Sequence, residues 1–471
     1  MARAASAGLL SSRRMDWTSL GHAGWLIEAA GLRLVCDPLV EVDHHGGVFE
    51  VRPRRRLRAA ALRADFILIS HRHPDHFDVR SLAQLAALDP DSVVITPDEL
   101  VAATARALGF RSVRVLAAGQ LVELERLRFV TSASLSSDEW GVMIGSDEGV
   151  VWNQVDTVFR DLDHLRGVLR SGLAALGATR IDLVLATWQP MLEIAAQLGH
   201  AIEFPHSAYA GLLAQLAAIE PGAIVPASAG TIHAAPYAWL NQVVCPVDEA
   251  RFLADAARVC PNAQVLALEL GARYRVRAGT KVEVDADAGA ALIERLEPGP
   301  EPEFRPFTIP ALHDPGEFLG APESVEVMHA QVLDWIEGEL ARALVAHFDD
   351  FEVDRPLRFV VEVVFGDRTL ARTLVVDAQT CTSVPGCDPS WDVYDAAAGT
   401  MLWEVVVGRR HWGDLLLSGG LRARSRAYRV DAAGLHRARV GETFLYYALS
   451  YADSVARSVA WEVEQALARR A

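Results

Sequence analysis

The sequence has few cysteines, no long apolar run and no excess of basic residues, and each shortage excludes a class of protein. No window approaches the roughly 18–20 consecutive apolar residues that a membrane span needs, so we expect no integral membrane association. The 45 Lys and Arg residues stand against 61 Asp and Glu, and a net charge of −16 disfavours nucleic-acid binding. The five cysteines are odd in number and mostly lie in apolar stretches, which predicts reduced, buried thiols in a cytoplasmic protein.

The rest of the composition is that of a globular protein, with 51% hydrophobic and 23% charged residues over 471 positions. Short apolar strands alternate with helical segments as far as about residue 295, which predicts an α/β (α+β) layering of two sheets flanked by helices. Five prolines between 296 and 310 indicate a linker. We therefore divide the chain into an N-terminal tail (1–16), a first domain (17–295), a Pro-rich linker (296–322) and a smaller C-terminal α+β domain (323–471).

One stretch concentrates metal-binding side chains directly after a predicted buried strand. It reads His71-Arg72-His73-Pro74-Asp75-His76, the pattern H-x-H-x-D-H. Polar groups crowded at a strand end belong in a loop, where a rigid sheet can aim them at one point. Imidazole nitrogens together with carboxylate oxygens suit Zn, Fe, Mn or Co. The alternation predicts that His71 and His73 share one metal while Asp75 and His76 turn to a second.

This motif resembles that of the metallo-β-lactamase-fold superfamily. The opening GHAGWLIEAAGLRLVCDP also resembles the first hairpin of that superfamily, and the similarity extends over roughly residues 17–275. The resemblance implies an αββα sandwich with a dinuclear metal site at one sheet edge, which makes 17–295 a metal-binding catalytic domain. Residues 392–426 faintly resemble a sterol-carrier-like module, which implies a C-terminal domain that binds substrate or mediates dimerisation.

The resemblance also implies the remaining metal ligands, with two departures from the usual pattern. Where the superfamily supplies a further His, residues 130–140 contain none and offer only Asp138 or Glu139. Asp156 stands in the place of the bridging Asp. Ser228 stands where the last His is expected, which leaves His206 and His233 as substitutes, of which we prefer His233.

The predicted site therefore has two halves joined by Asp156. The first metal takes His71, His73 and either Asp138 or Glu139, and the second takes Asp75, His76 and His233. The candidate catalytic residues are Asp75, Asp156 and His206. We expect Asp37 to orient a ligating His through a hydrogen bond. His22 is predicted to pack the hairpin or support the site without ligating. His44 and His45 are predicted to form a surface loop, with a mobile loop over the site as the alternative.

The carboxylates that replace imidazole make the site harder and favour iron, with zinc or manganese as alternatives. This His-depleted pattern resembles the oxygenase-like branch of the superfamily, the CMP-N-acetylneuraminate hydroxylase and diiron β-hydroxylase groups. The resemblance implies two divalent metal ions, O₂, an external reductant, and a small-molecule or carrier-bound substrate. No flavin, Rieske-cluster or haem motif is visible in the chain. The alternative functions are a hydrolase that uses a metal-bridging hydroxide and a non-catalytic metal- or ligand-binding protein. A homodimer is one candidate for the oligomeric state.

Overall fold

The computed structural model describes residues 15–135, 139–437 and 451–470. Its first sheet has eight strands, antiparallel at one end and parallel from Leu32–Cys36 onward. In spatial order the strands are Glu283–Asp285, Arg273–Val276, Met15–Gly21, Gly24–Ala29, Leu32–Cys36, Phe66–Leu68, Val93–Thr96 and Ser112–Val115.

The second sheet repeats this change from antiparallel to parallel pairing. It has seven strands and becomes parallel from Gly149–Asn153 onward. In spatial order they are Leu121–Leu124, Leu127–Ala133, Trp140–Ser146, Gly149–Asn153, Leu183–Thr187, Ala223–Ala227 and Gln264–Val265. Parallel strands covered on both faces need nearly continuous apolar side chains, as in Leu183–Thr187.

Helices cover the outer faces of both sheets. The first sheet packs against Val79–Leu88, Glu99–Ala107 and Tyr451–Ala468, and the second against Leu162–Leu176, His206–Ile219 and Glu249–Val259. Four of these helices begin after an aspartate whose carboxylate accepts backbone N–H bonds of the first turn: Asp78, Asp98, Asp161 and Asp248. The predicted αββα sandwich is confirmed.

A five-stranded sheet forms most of the C-terminal part. Its strands are Cys381–Pro385, Arg368–Val376, Leu357–Phe365, Val393–Ala398 and Leu421–Ser425. Its helices are Val325–Trp335, Ala341–Ala346, Gly399–Val406 and Trp412–Leu417. The predicted smaller α+β unit is present, while the domain boundary near residue 300 stays a prediction.

Short elements join these layers. They are the strands Asp43–His44, Phe49–Val51, Thr231–His233, Arg55–Leu57, Ile293–Arg295, Tyr428–Asp431 and Gly434–Arg437, the helix Ala195–Leu198, the π-helical turn Ile336–Leu340, and the 3₁₀ turns His45–Gly47, Ala59–Leu62, Tyr237–Gln242, Ala290–Leu292 and Phe348–Phe351. Across the three described ranges, no helix combines the length and the apolar character needed to cross a membrane.

The last helix, Tyr451–Ala468, returns to the sandwich. Val455, Val459 and Ala466 join the apolar cluster between the first sheet and its helices. Because these three side chains are at most 9% exposed, the end of the chain forms part of the wall around the first domain.

The helix Leu162–Leu176 begins after Asp161, whose carboxylate accepts a hydrogen bond from the backbone N–H of His164 at 2.8 Å. Residues 154–160 therefore form a loop after the strand Gly149–Asn153, and this loop contains Asp156.

We expect Phe129→Ala to lower the free energy of unfolding by about 3–5 kcal/mol, because Phe129 is fully buried between the two sheets. Leu121→Ala, on the neighbouring strand with 40% exposure, is the matched control and should stay within about 0.5 kcal/mol of the parent. Urea unfolding followed by circular dichroism measures both. Equal losses in the two variants would contradict the assigned core.

Candidate metal centre

The H-x-H-x-D-H residues and Asp156 meet at one edge of the sandwich. Residues 71–76 follow the parallel strand Phe66–Leu68 of the first sheet. Asp156 follows Gly149–Asn153 of the second sheet, and Glu139 immediately precedes its strand Trp140–Ser146. Loops at the ends of strands from two facing sheets therefore bring together side chains that lie far apart in the sequence.

The first group of side chains contains His71, His73 and Glu139. Nε2 of His71 lies 2.9 Å from Nδ1 of His73, and Nδ1 of His73 lies 4.0 Å from Oε1 of Glu139. Their candidate ligand atoms all lie within 4.8 Å of one another. Two imidazoles and one carboxylate in this arrangement can hold a single cation.

The second group surrounds His76. Its Nε2 lies 3.3 Å from Oδ2 of Asp75 and 3.0 Å from Oδ2 of Asp156. The same Asp156 oxygen is 3.7 Å from Nε2 of His71. Asp156 therefore lies between the two groups.

A shared hydrogen-bond network orients the rings of His71 and His76. Asp37 accepts bonds from the Ser70 N–H and hydroxyl, both at 2.8 Å, and from Nδ1 of His76 at 3.0 Å. Because the single Ser70 hydroxyl proton goes to Asp37, the Ser70 oxygen accepts from Nδ1 of His71 at 2.9 Å. In the neutral rings, both Nε2 atoms then present a lone pair to the site. This is the orienting role that the sequence predicted for Asp37.

His22 is held in the opposite tautomer. Its Nδ1 accepts a hydrogen bond from the Gly230 N–H at 3.2 Å, so Nε2 carries the proton and donates it to Oδ2 of Asp75 at 3.2 Å. His22 thus orients Asp75 as a donor, and its backbone takes a left-handed φ of 52° to do so. His22 also forms a group of candidate ligand atoms with Asp75 and His76, all within 4.8 Å of one another, so its supporting role without ligation stays a prediction.

The pKa shifts of the site indicate that its carboxylates favour a positive charge beside them. Burial opposes protonation of His76, yet Asp75 and Asp156 raise its pKa well above the usual value. Burial, then the neighbouring imidazoles of His76 and His73, hold the pKa of His71 well below its usual range. The carboxylates therefore call for a cation, while the ring of His71 remains neutral and able to ligate.

The residues present fit a bound divalent metal. The buried Nε2 of His76 makes no hydrogen bond, although two carboxylate oxygens lie within 3.3 Å of it. Close packing of donor atoms without hydrogen-bond geometry is what a metal requires of its ligands. Imidazole nitrogens with several carboxylate oxygens are a suitable donor set for Fe, Mn or Zn.

A neighbouring buried cluster of His45, His411 and Asp414 also has metal-binding residue types within 4.8 Å. Nδ1 of His411 accepts from the Gly413 N–H at 3.0 Å, so Nε2 of the neutral ring carries the proton and has no lone pair for a metal. Nδ1 of His45 bonds Oδ1 of Asp414 at 3.0 Å. Burial opposes protonation of His45, but Asp414 and Asp75 raise the pKa of this ring to about 9. The cluster is thus an ion-paired network.

Neither substitute for the last ligand is brought to the site. His206 is exposed at the start of the helix His206–Ile219, with its ring beside Phe204. His233 is buried against Phe49, and its Nε2 bonds the carbonyl oxygen of Leu417 at 3.1 Å. Across the described ranges, no group of candidate ligand atoms includes either one. Asp138 lies outside the described residues, whereas Glu139 joins the first group.

Two residues near the site were missed by the sequence reasoning. His45 was predicted on a surface loop, but it is buried, with Nε2 3.7 Å from Oδ1 of Asp75. Glu193 lies close enough that burial, then the charges of Asp75 and Asp156, raise its pKa to about 7. The His44-His45-Gly46-Gly47 run was the only signal for the first, and nothing in the sequence around Glu193 marked the second.

Comparisons with known proteins show which families and relatives the chain is similar to. Residues 16–186 match the family model of the β-lactamase superfamily domain. A candidate Rieske 2Fe-2S iron-sulfur protein of Mycolicibacterium smegmatis is 30% identical over 196 residues, 38% of this chain and 36% of that protein. A metal-dependent hydrolase of Carboxydothermus hydrogenoformans is 37% identical over 71 residues, 15% of this chain and 27% of that protein. The chain thus spans little more than a third of the first relative and about a quarter of the second.

Two experimental structures also resemble the chain. Isothiocyanate hydrolase from Delia radicum gut bacteria has a TM-score of 0.40 and 19% identity, covering 57% of this chain and 100% of its own. CmlA, a diiron β-hydroxylase from Streptomyces venezuelae, has a TM-score of 0.40 and 16% identity, covering 57% of this chain and 55% of its own. The resemblance predicted from the H-x-H-x-D-H motif is confirmed, and the match to the β-lactamase superfamily model extends over residues 16–186 of this chain.

Proposed function

We propose that the chain is a dinuclear metal enzyme that uses O₂ to oxidise a small-molecule or carrier-bound substrate. The observation that carries this proposal is the donor set at the sheet edge, where three imidazoles and three carboxylates belong to overlapping groups whose candidate ligand atoms lie within 4.8 Å of one another. They are His71, His73, His76, Asp75, Glu139 and Asp156. Such a mixture of oxygen and imidazole donors favours iron, although zinc and manganese also accept it.

The two groups of side chains would each hold one cation. His71, His73 and Glu139 would hold the first, a pattern of two His and one carboxylate that is typical of non-haem iron oxygenases. Asp75 and His76 would hold the second. Oδ2 of Asp156 is near both groups, 3.7 Å from His71 and 3.0 Å from His76, and a carboxylate there can contact both ions. We infer that His206 and His233 take no part as ligands.

The chain's own residues orient the site and leave one side open. When bound, a pair of ferrous ions supplies redox chemistry with O₂ that side chains lack. His71 and His76 are fully buried, whereas the side chains of His73 and Asp156 are 36% and 30% exposed, so substrate approaches from the side of His73 and Asp156. The carboxyl of Glu193, whose pKa is raised to about 7 by burial and by the charges of Asp75 and Asp156, can hold or release a proton in the neighbourhood of these two carboxylates.

The reductant would come from outside this chain. No Rieske, flavin or haem motif lies in the sequence, and the five cysteines lack the spacing of a cluster-binding site. The relative in Mycolicibacterium smegmatis carries a Rieske 2Fe-2S designation, which supports an electron-transfer context. We infer that a one-electron carrier is the partner of this protein.

Hydrolysis is the second candidate. The similarity to a metal-dependent hydrolase of Carboxydothermus hydrogenoformans favours it. The same residues would then position two cations that lower the pKa of water and polarise a phosphoryl or carbonyl oxygen. The two candidates share the ligand set and differ in their need for O₂ and electrons.

The ligand assignment predicts that His73→Ala loses most of the bound metal, because its Nδ1 lies between Nε2 of His71 and the Glu139 carboxylate. His200→Ala, an exposed His that belongs to no candidate ligand group among the described residues, is the control and should keep the parent's metal content. Elemental analysis of both purified variants, with circular dichroism to check folding, measures the effect. Unchanged metal in His73→Ala would contradict the assignment.

A matched pair of neighbours separates the two carboxylates that the sequence left open. Glu139→Ala should weaken metal binding by at least about tenfold, and Asp138→Ala should leave it near that of the parent. Competition with a chelator gives the affinities. The reverse order would place Asp138 in the site instead of Glu139.

The oxygenase proposal predicts that iron-loaded protein, reduced without air and then mixed with O₂, consumes O₂ and gains near-ultraviolet or visible absorption. Zinc-loaded protein is the control and should do neither. Stopped-flow absorption and an oxygen electrode measure the reaction. Inert iron protein, together with cleavage of phosphodiester, lactone or thioester probes by the zinc form, would support the hydrolase and overturn the oxygenase.

A further inference from the structure

A cavity of about 340 Å³ lies beside the metal centre and is separate from it. The C-terminal helix Tyr451–Ala468 forms one wall, and the stretches 43–47, 72–80 and 318–320 complete it together with His411. Arg72 and Pro74 face the cavity, and they alternate with the residues assigned to the metal site. His45 also lines the cavity and lies 3.7 Å from Asp75, so it stands between the two spaces.

Much of the cavity wall is apolar. Phe77, Val79, Val455 and Val459 are each at most 8% exposed, and the rings of Phe318 and Trp461 add aromatic surface. The volume lies at the lower end of the range of small-molecule sites, about 300–1,000 Å³. An apolar wall of this size suits a compact organic molecule.

The cationic groups of the wall are three arginines and His45, and His45 is paired with Asp414 through a 3.0 Å bond from its Nδ1. Arg80 is shared by two carboxylates, with Nη1 2.8 Å from Oδ2 of Asp43 and Nε 3.2 Å from Oδ1 of Asp78. Arg72 is held by Asp98, which lies outside the cavity, at 2.6 Å. Arg469 is exposed to solvent. The positive charges are thus either committed to acids or solvated.

Glu462 is the acid of the wall that pairs with no cationic side chain among the described residues. It lies on the C-terminal helix and lines the cavity, and among the described residues its carboxyl makes no hydrogen bond or ion pair. Burial, followed by the charges of Asp78 and Asp414, raises its pKa to about 8. A positive charge placed in the cavity would satisfy this carboxyl, and the face of Trp461 offers a further contact for a cation.

We propose that this cavity binds a small organic ammonium ion, with its apolar body against Phe77, Val455 and Val459 and its charged nitrogen against the Glu462 carboxylate. The site is distinct from the metal centre and does not depend on it. A bound amine would touch His45, which contacts Asp75, and so would sit next to the metal site without entering it.

Isothermal titration calorimetry of the full chain with phenethylamine tests the proposal, with 2-phenylethanol as the neutral analogue. We expect saturable 1:1 binding of the amine, at least about tenfold tighter than the alcohol, because a charge-assisted bond to a carboxylate is lost in the alcohol. Glu462→Gln should bring the two affinities together. Glu464→Gln, an exposed neighbour on the same helix, is the matched control and should behave as the parent.

Three results would overturn the proposal: no saturable amine binding, equal affinity of the parent for amine and alcohol, or an amine preference that survives in Glu462→Gln. Metal content is measured on the same samples. Because Glu462 is outside the ligand groups, its variant should keep the parent's metal content. Loss of metal in Glu462→Gln would contradict the separation of the two sites.

Discussion

The geometry of the candidate metal centre depends on one buried carboxylate, Asp37. It accepts three hydrogen bonds, two from Ser70 and one from His76, at 2.8–3.0 Å. Through Ser70 it also determines which nitrogen of His71 carries a proton. Two rings therefore aim their Nε2 lone pairs at the same region. Asp37 itself takes a left-handed φ of 40° just after the strand Leu32–Cys36. The three hydrogen bonds to its carboxylate offset the free-energy cost of this backbone conformation.

The C-terminal part of the chain supports the same site from the other side. Arg410, paired with Glu404, donates to the Gly46 carbonyl at 3.2 Å and holds the loop that carries His45. Gly46 has a left-handed φ of 58°, and a Cβ there would lie 2.6 Å from Nη1 of Arg410, so both the backbone and the nearby guanidinium favour glycine. His45 then bonds Asp414 and faces Asp75. The site is thus enclosed by residues more than three hundred positions apart in the sequence.

This arrangement explains how far the sequence could predict the centre. Alternating His and Asp residues after an apolar strand were sufficient to locate His71, His73, Asp75 and His76, because a strand end determines where its loop lies. Asp156 was found from its resemblance to a bridging Asp, and the loop that carries it follows the strand Gly149–Asn153. Two sheets flanked by helices followed from apolar strands alternating with helices, and the αββα sandwich followed from the resemblance to the superfamily.

The remaining features depend on contacts that no local pattern encodes. His45 is buried because Asp414 and Arg410 reach it from the distant C-terminal sheet and helices. His233 bonds the Leu417 carbonyl in the same region instead of joining the candidate ligand groups. The tautomers of His22 and His411 depend on single backbone N–H groups, those of Gly230 and Gly413. These are long-range or single-atom constraints, and hydrophobic periodicity carries no information about them.

Anomalous diffraction from crystals of protein purified without chelators tests the central claim most directly. The account predicts two metal peaks. One should lie against Nε2 of His71 and Nδ1 of His73, and the other against Nε2 of His76 and the Asp75 carboxylate, with Asp156 between them. Measurements on either side of the iron and zinc absorption edges identify each metal. A single peak, or a peak among His45, His411 and Asp414, would contradict the account.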